Sequence, residues 1–121
     1  MKKKTRGELE AEFTKEIVKL EKEYFGRGPL DARTFFINDM ILVRLREVLT
    51  QAEEKLSESK EGHKLVKEAR RQLFGSSREV LEDIVGNIVD CGIVSIHSDL
   101  STKTGERIIV LIVDTNLSAK F

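Results

Sequence analysis

The stretch Arg33–Arg46, RTFFINDMILVRLR, constrains the fold of this chain more than any other. β-Branched and aromatic residues flank a central Asn38-Asp39, the composition of two strands joined by a tight turn. With those two residues as the turn, Ile37 pairs with Met40, Phe36 with Ile41, Phe35 with Leu42 and Thr34 with Val43. Strand periodicity then puts Thr34, Phe36, Ile41, Val43 and Leu45 on one face, and Phe35, Ile37, Met40 and Leu42 on the other. Both faces are apolar, which predicts a hairpin covered on both sides.

A second strand pair closes the chain in CGIVSIHSDLSTKTGERIIVLIVD. Alternation directs Val94, Ile96 and Leu100 one way and Ile93, Ser95, His97 and Asp99 the other, with STKTG as the turn. The last strand, RIIVLIVD, is apolar on both faces and reads as interior. Between and before the hairpins lie helical patterns. Thr5 with Glu8 forms a capping box, and Leu9, Phe13, Ile17, Leu20 and Tyr24 then make one narrow apolar stripe. Gly26 and Pro29 end that helix. Thr50 with Glu53 caps a short second helix, and residues 57–62 read as a loop.

From about His63 to Val89 runs a long helical pattern. Its stripe is Val66, Leu73, Val80, Ile84 and Ile88, widened by Ala69, Leu81 and Val85. FGSS at 74–77 makes a break as reasonable as a straight rod. Unbroken, the rod would measure roughly 40 Å against a radius of gyration of ~13–14 Å for a domain of this size. Such an overhang would pack on a second subunit, so a homodimer is expected. The element order α-β-β-α-α-β-β predicts an α+β fold, a four-stranded, mostly antiparallel sheet packed by helices. One domain spans residues 1–121, with a basic tail at 1–5.

Composition narrows the function. Twenty-one Lys and Arg offset twenty-one Asp and Glu, so no net field draws the chain to DNA or another polyanion. The single cysteine, Cys91, excludes an internal disulfide and a Cys-rich zinc site, and it reads as a buried structural thiol. No segment approaches the ~20 apolar residues of a membrane-spanning helix. The basic start is not followed by the apolar core of a signal peptide. The expected location is cytoplasmic, at most peripheral to the inner face of the membrane, and no metal or cofactor is expected.

Few residues stand out chemically. Ser95, His97 and Asp99 share one strand face, but Ser95 has no nucleophile-elbow setting, so the trio reads as a polar strand rim and no catalytic residue is assigned. His97 and Asp99 remain candidates for a ligand or partner contact. The predicted register sets Arg33 opposite Arg44, a like-charge pair needing relief from a carboxylate of the other hairpin, a bound anion, or splayed strands. Arg70 projects near the apolar stripe, where it either snorkels or pairs with an acid at a subunit interface. Lys60, Lys64, Lys67, Arg71 and Arg78 follow helical spacing and make one basic face. That face suits anionic lipid, RNA or an acidic protein. No aromatic residues interleave with it, so the stacking platform of single-strand RNA binders is missing.

EKEYFGRGP, RTFFINDMILVRLREVLTQAEEKL, EARRQL and VSIHSDLSTKTGERIIV, in this order over nearly the whole chain, resemble the MpsC family. These small bacterial proteins are named for a component of a sodium-translocating, membrane-potential-generating system. Gly26, Gly28, Pro29, Arg33, Asp39, Leu49, Thr50 and Glu53 fall on its motifs, as do His97, Asp99, Thr104 and Gly105. Glu47 stands where the family carries a glycine, which bears on the turn there. The resemblance implies a non-catalytic accessory protein, docking onto a membrane ion- or inorganic-carbon-uptake complex. It supplies no catalytic residues. A module sensing a small anion such as bicarbonate through Arg33, Arg44 or His97 is the alternative, and RNA binding through the basic face comes third.

Overall fold

The computed structural model describes residues 3–121; Met1 and Lys2 of the basic tail lie outside the described residues. The elements are α1 (Arg6–Phe25), β1 (Asp31–Ile37), β2 (Met40–Arg46), α2 (Gln51–Leu56), α3 (Lys60–Gly75), α4 (Arg78–Val89), β3 (Ile93–Ser101), β4 (Glu106–Val113) and α5 (Leu117–Lys120). The strands form one antiparallel sheet in the order β1-β2-β4-β3. This is the α+β fold expected, with β4 interior.

The first hairpin has the predicted register, Ile37 opposite Met40 through Arg33 opposite Arg44. Asn38 takes the left-handed turn conformation at φ 55°. Both capping boxes form, Thr5 with Glu8 and Thr50 with Glu53, and Gly26 closes α1 at φ 78°. Leu9, Phe13, Ile17 and Leu20 of α1 are buried as their spacing predicts. They pack on β1, where Phe13 meets Phe36 edge-on and the Thr14 hydroxyl donates to Thr34.

Of the two alternatives for the long helical pattern, the break is the one found: it is two helices, not a rod. The Ser77 backbone N–H donates to Phe74 and its hydroxyl to the same carbonyl, which ends α3 and lets α4 start in a new phase. Leu73 is therefore 43% exposed while Phe74 turns inward with Val66 and Arg70, and the overhang that argued for a dimer disappears. Residues 57–62 are loop only as far as Ser59, whose side chain caps α3 at Gly62. A bulge between Ile93 and Ser95 shifts the start of β3 by one residue. Ile93 then pairs with Val113, and Val94 stands out at 61% exposure.

The first hairpin is not covered on both sides. Every buried strand residue lies on one face: Thr34, Phe36, Ile41, Val43, Leu45, Leu100, Arg107, Ile109, Leu111 and Val113. The helices share their core with that face alone. The opposite face, apolar as the sequence requires, is uncovered. A further element, the single turn α5, places Leu117 fully buried at the β1–β2 turn, where its N–H donates to Asn38.

Glu47 forms a turn directly after β2. It adopts φ 52°, a left-handed conformation costly for a residue with a Cβ. The Val48 N–H donates to Gly105 at 3.0 Å, fastening this turn to that between β3 and β4.

Candidate functional site

Two features of this fold are capable of binding. The first is the uncovered sheet face. Strand pairing arranges it in three rows running from β1 through β2 and β4 to β3. Ile37, Met40, Ile112 and Ser95 form the first; Phe35, Leu42, Val110 and His97 the second; Arg33, Arg44, Ile108 and Asp99 the third. Seven large apolar side chains are thus contiguous, with Phe35 39% and Ile37 41% exposed. Spacings of ~4.8 Å between strands and ~6.8 Å between alternate residues give this face roughly 400 Å² in projection. The seven apolar positions make up roughly 230 Å² of it, on the few-hundred-Å² scale of patches that are often functional.

The polar residues predicted as contacts rim this face. Arg33 and Arg44 do oppose each other, and the relief comes from the other hairpin: Arg44 Nε donates to Glu106 at 2.6 Å. His97 Nε2 lies 3.1 Å from the Ser95 hydroxyl, whereas Asp99 turns to Lys67 at 3.6 Å. Asp99 therefore does not orient His97, and the three residues do not work as a relay.

The second feature lies on the opposite, helical side. Glu21, Arg70 and Arg107 meet in the core with 0%, 1% and 2% exposure. Arg70 is bidentate to Glu53, through Nε at 2.6 Å and Nη2 at 2.7 Å, and Nη2 also donates to the Val48 carbonyl at 2.8 Å. Its acidic partners belong to its own chain, not to a subunit interface. Glu21 lies 3.6 Å from Arg70 Nη1 and 3.5 Å from Arg107 Nε, too far for hydrogen bonds. Phe25 flattens both guanidinium groups, at 4.4 Å from Arg70 and 5.2 Å from Arg107.

Electrostatics differ sharply within this cluster. Burial pushes the Glu21 carboxyl above its ordinary range, and the two arginines only partly offset it. Burial acts upward on Glu53 as well, but the hydrogen bonds from Arg70 and Thr50 prevail and hold it below that range. Burial lowers the Arg107 guanidinium, against the pull of Glu21.

Beside the cluster, α3 stands away from the inner edge of the sheet and leaves a cavity of about 680 Å³. Its far wall is Ile96, Ser98 and Leu100 of β3, and Arg107 of β4. The Thr102 hydroxyl hydrogen-bonds His63 and pins the start of α3 to the β3–β4 turn. Lys64, Lys67, Arg71 and Arg78 of the predicted basic face all line this cavity, although the helix break separates the last from the rest. Lys60, at the first position of α3, is exposed and not part of the wall. Glu21 and Arg107 escaped the sequence reading. The signal for Glu21 was its place four residues after Ile17 on the α1 stripe; for Arg107, its alternation with Ile109 and Leu111.

Among the described residues no helix is long and apolar enough to cross a membrane. No solved structure matches the chain. YbcI of Bacillus subtilis (strain 168), described as an uncharacterized protein, is 43% identical over 108 residues, covering 89% of this chain and 87% of that one. YrhF of the same organism, described in the same words, is 28% identical over 111 residues, covering 88% of each. Neither description names an enzymatic activity. Residues 5–115 match the family described as "Na+-translocating membrane potential-generating system (MpsC)", and the chain belongs to that family.

Proposed function

We propose that this chain is a non-catalytic accessory component of a membrane-potential-generating system, working by protein docking from the cytoplasmic side, and that its unit is a dimer joined through the open sheet face. The family description supports the system. The observation that carries the docking is the uncovered apolar face, whose exposure to water is costly unless a partner covers it.

The occupant argued for is a second copy. The third row reads Arg33, Arg44, Ile108, Asp99 from β1 to β3, basic at one end and acidic at the other. A two-fold axis parallel to the strands lays β1 of one copy over β3 of the other. Arg33 then meets Asp99 of the second copy, which turns to it from Lys67, 3.6 Å away within its own chain, and Phe35 meets its His97, in an aligned packing of two sheets. Zero net charge leaves no long-range repulsion between copies. Two such faces cover roughly 800 Å² in all, below the size of stable interfaces, which favours a weak, micromolar dimer.

The test pairs light scattering with affinity purification from detergent-solubilised membranes. Wild type should be dimeric and recover integral-membrane transport subunits; Val110→Glu should be folded by circular dichroism, monomeric, and poor in recovery. A monomeric wild type at 100-fold above micromolar concentration would overturn the dimer. Recovery of no membrane subunit would overturn the assignment to the system.

A further inference from the structure

The cavity under α3 is not packing slack. It is half open to solvent, and a volume of about 680 Å³ is that of a small-molecule site. Its floor is unusual. Arg107 is 2% exposed; its Nε and the Nη1 of the neighbouring Arg70 stand 3.5 and 3.6 Å from the Glu21 carboxylate, whose oxygens are themselves unpaired, while Arg107 Nη2 has no hydrogen-bond partner. Buried guanidinium donors are rarely left unpaired. Arg107 Nη1 donates to the Ser98 hydroxyl at 2.8 Å. Because that oxygen accepts, the Ser98 proton is free to be donated to something else.

The rest of the wall has matching chemistry. Lys64, Lys67, Arg71 and Arg78 surround the mouth, while Phe74, Ile96 and Leu100 supply apolar surface. Of the carboxylates, Asp99 reaches Lys67, Glu68 holds Arg71, and Glu82 holds Arg78. Glu21 and Glu53 lie behind the arginines. Among these ion pairs Lys64 has no carboxylate within 4.0 Å, so the mouth stays positive.

We infer that this cavity binds a small organic anion, its carboxylate or phosphate oxygens on Ser98 and Lys64, with the Arg107 charge behind Ser98, and its apolar body on Phe74, Ile96 and Leu100. A hydroxyl whose oxygen already accepts from a guanidinium, beside a lysine ammonium, suits an oxyanion. A volume this large exceeds what a bare inorganic ion fills, so the ligand carries a body as well as a charge. The site opens on the other side of the sheet from the docking face and shares only Asp99 with it, at the β3 edge.

The test is a nitrogen-15 NMR titration of the full chain with benzoate and with inorganic phosphate, at constant ionic strength in potassium chloride. Saturable shifts are expected for backbone amides around Ser98 and along Lys64–Arg71, tighter for benzoate than for phosphate. Ser98→Ala should weaken benzoate about tenfold, the loss of one hydrogen bond to a charged group. Lys64→Glu should weaken it further, and Lys15→Ala, exposed on α1 away from both surfaces, should leave it unchanged. Ser98 is exposed, so its alanine variant should fold. Shifts that stay linear to about 20 mM, beyond any useful affinity, would overturn the inference. So would saturable binding that neither Ser98→Ala nor Lys64→Glu alters, or shifts centred on Leu42 and Val110.

Discussion

Arg70→Met is the perturbation that most directly probes the buried ion cluster. The methionine fills most of the space along the arginine stem but removes the charge. Three short hydrogen bonds disappear, two to Glu53 and one to the Val48 carbonyl, along with the 4.4 Å contact over Phe25. Glu53 and Glu21 lose the cation between them, and Arg107 alone remains. Removing one member of a buried ion pair costs about 3–5 kcal/mol, because the charges left behind are uncompensated. At ~0.25 kcal/mol/K for a chain of this length, the expected fall in Tm is about 12–20 °C. The effect should depend on pH with a definite sign. Glu53 is held below its ordinary value of 4.5 in the folded chain, so its contribution is present above that value and lost as pH falls. The deficit of the variant should therefore be full at pH 7 and shrink towards pH 4. Thermal unfolding by circular dichroism at fixed protein concentration measures both. A loss under about 1 kcal/mol, or a deficit indifferent to pH, would refute this account of the core.

Three further predictions follow from single positions. Glu21 has the opposite sign to Glu53: its raised carboxyl value means that stability is fully present below 4.5 and lost as pH rises through the folded value. Glu21→Gln should match wild type near pH 4 and exceed it increasingly towards pH 8 in the same unfolding assay. Glu47→Gly relieves a left-handed residue and should raise Tm by a few degrees, about 1 kcal/mol. Gly62→Ala should do the reverse by about 2–3 kcal/mol, as in other overpacked sites. A Cβ there would stand 1.8 Å from the Leu56 carbonyl oxygen, and backbone cannot swing aside.

Much of the fold is legible in the residues because local rules decide it. Asn38-Asp39 fixes the first register, and the two capping boxes fix the starts of α1 and α2. What local rules do not carry is which side of an apolar strand is covered. Phe35 and Ile37 look as buried as Phe36 by type, and only the placement of all the helices on one side of the sheet leaves them open. The break after Gly75 depends on serine hydrogen bonds that compete with the helix, so the phase of Leu73 and Phe74 was not readable from periodicity. The cavity was half visible. Lys64, Lys67, Arg71 and Arg78 stood out by spacing, but Glu21 and Arg107 were hidden because single charges in regular patterns look solvent-facing. Only the third dimension brings them together with Arg70.

The docking reading rests on two copies meeting face to face in one register, and a charge-swap cycle measured by sedimentation velocity tests it most directly. Arg33→Asp and Asp99→Arg should each shift the protein towards monomer, since each sets like charges opposite one another across the two-fold. The double variant restores the pairing and should recover the dimer. If both single variants sediment as wild type, or the double variant stays monomeric while folded, the open sheet face does not join two copies in this way.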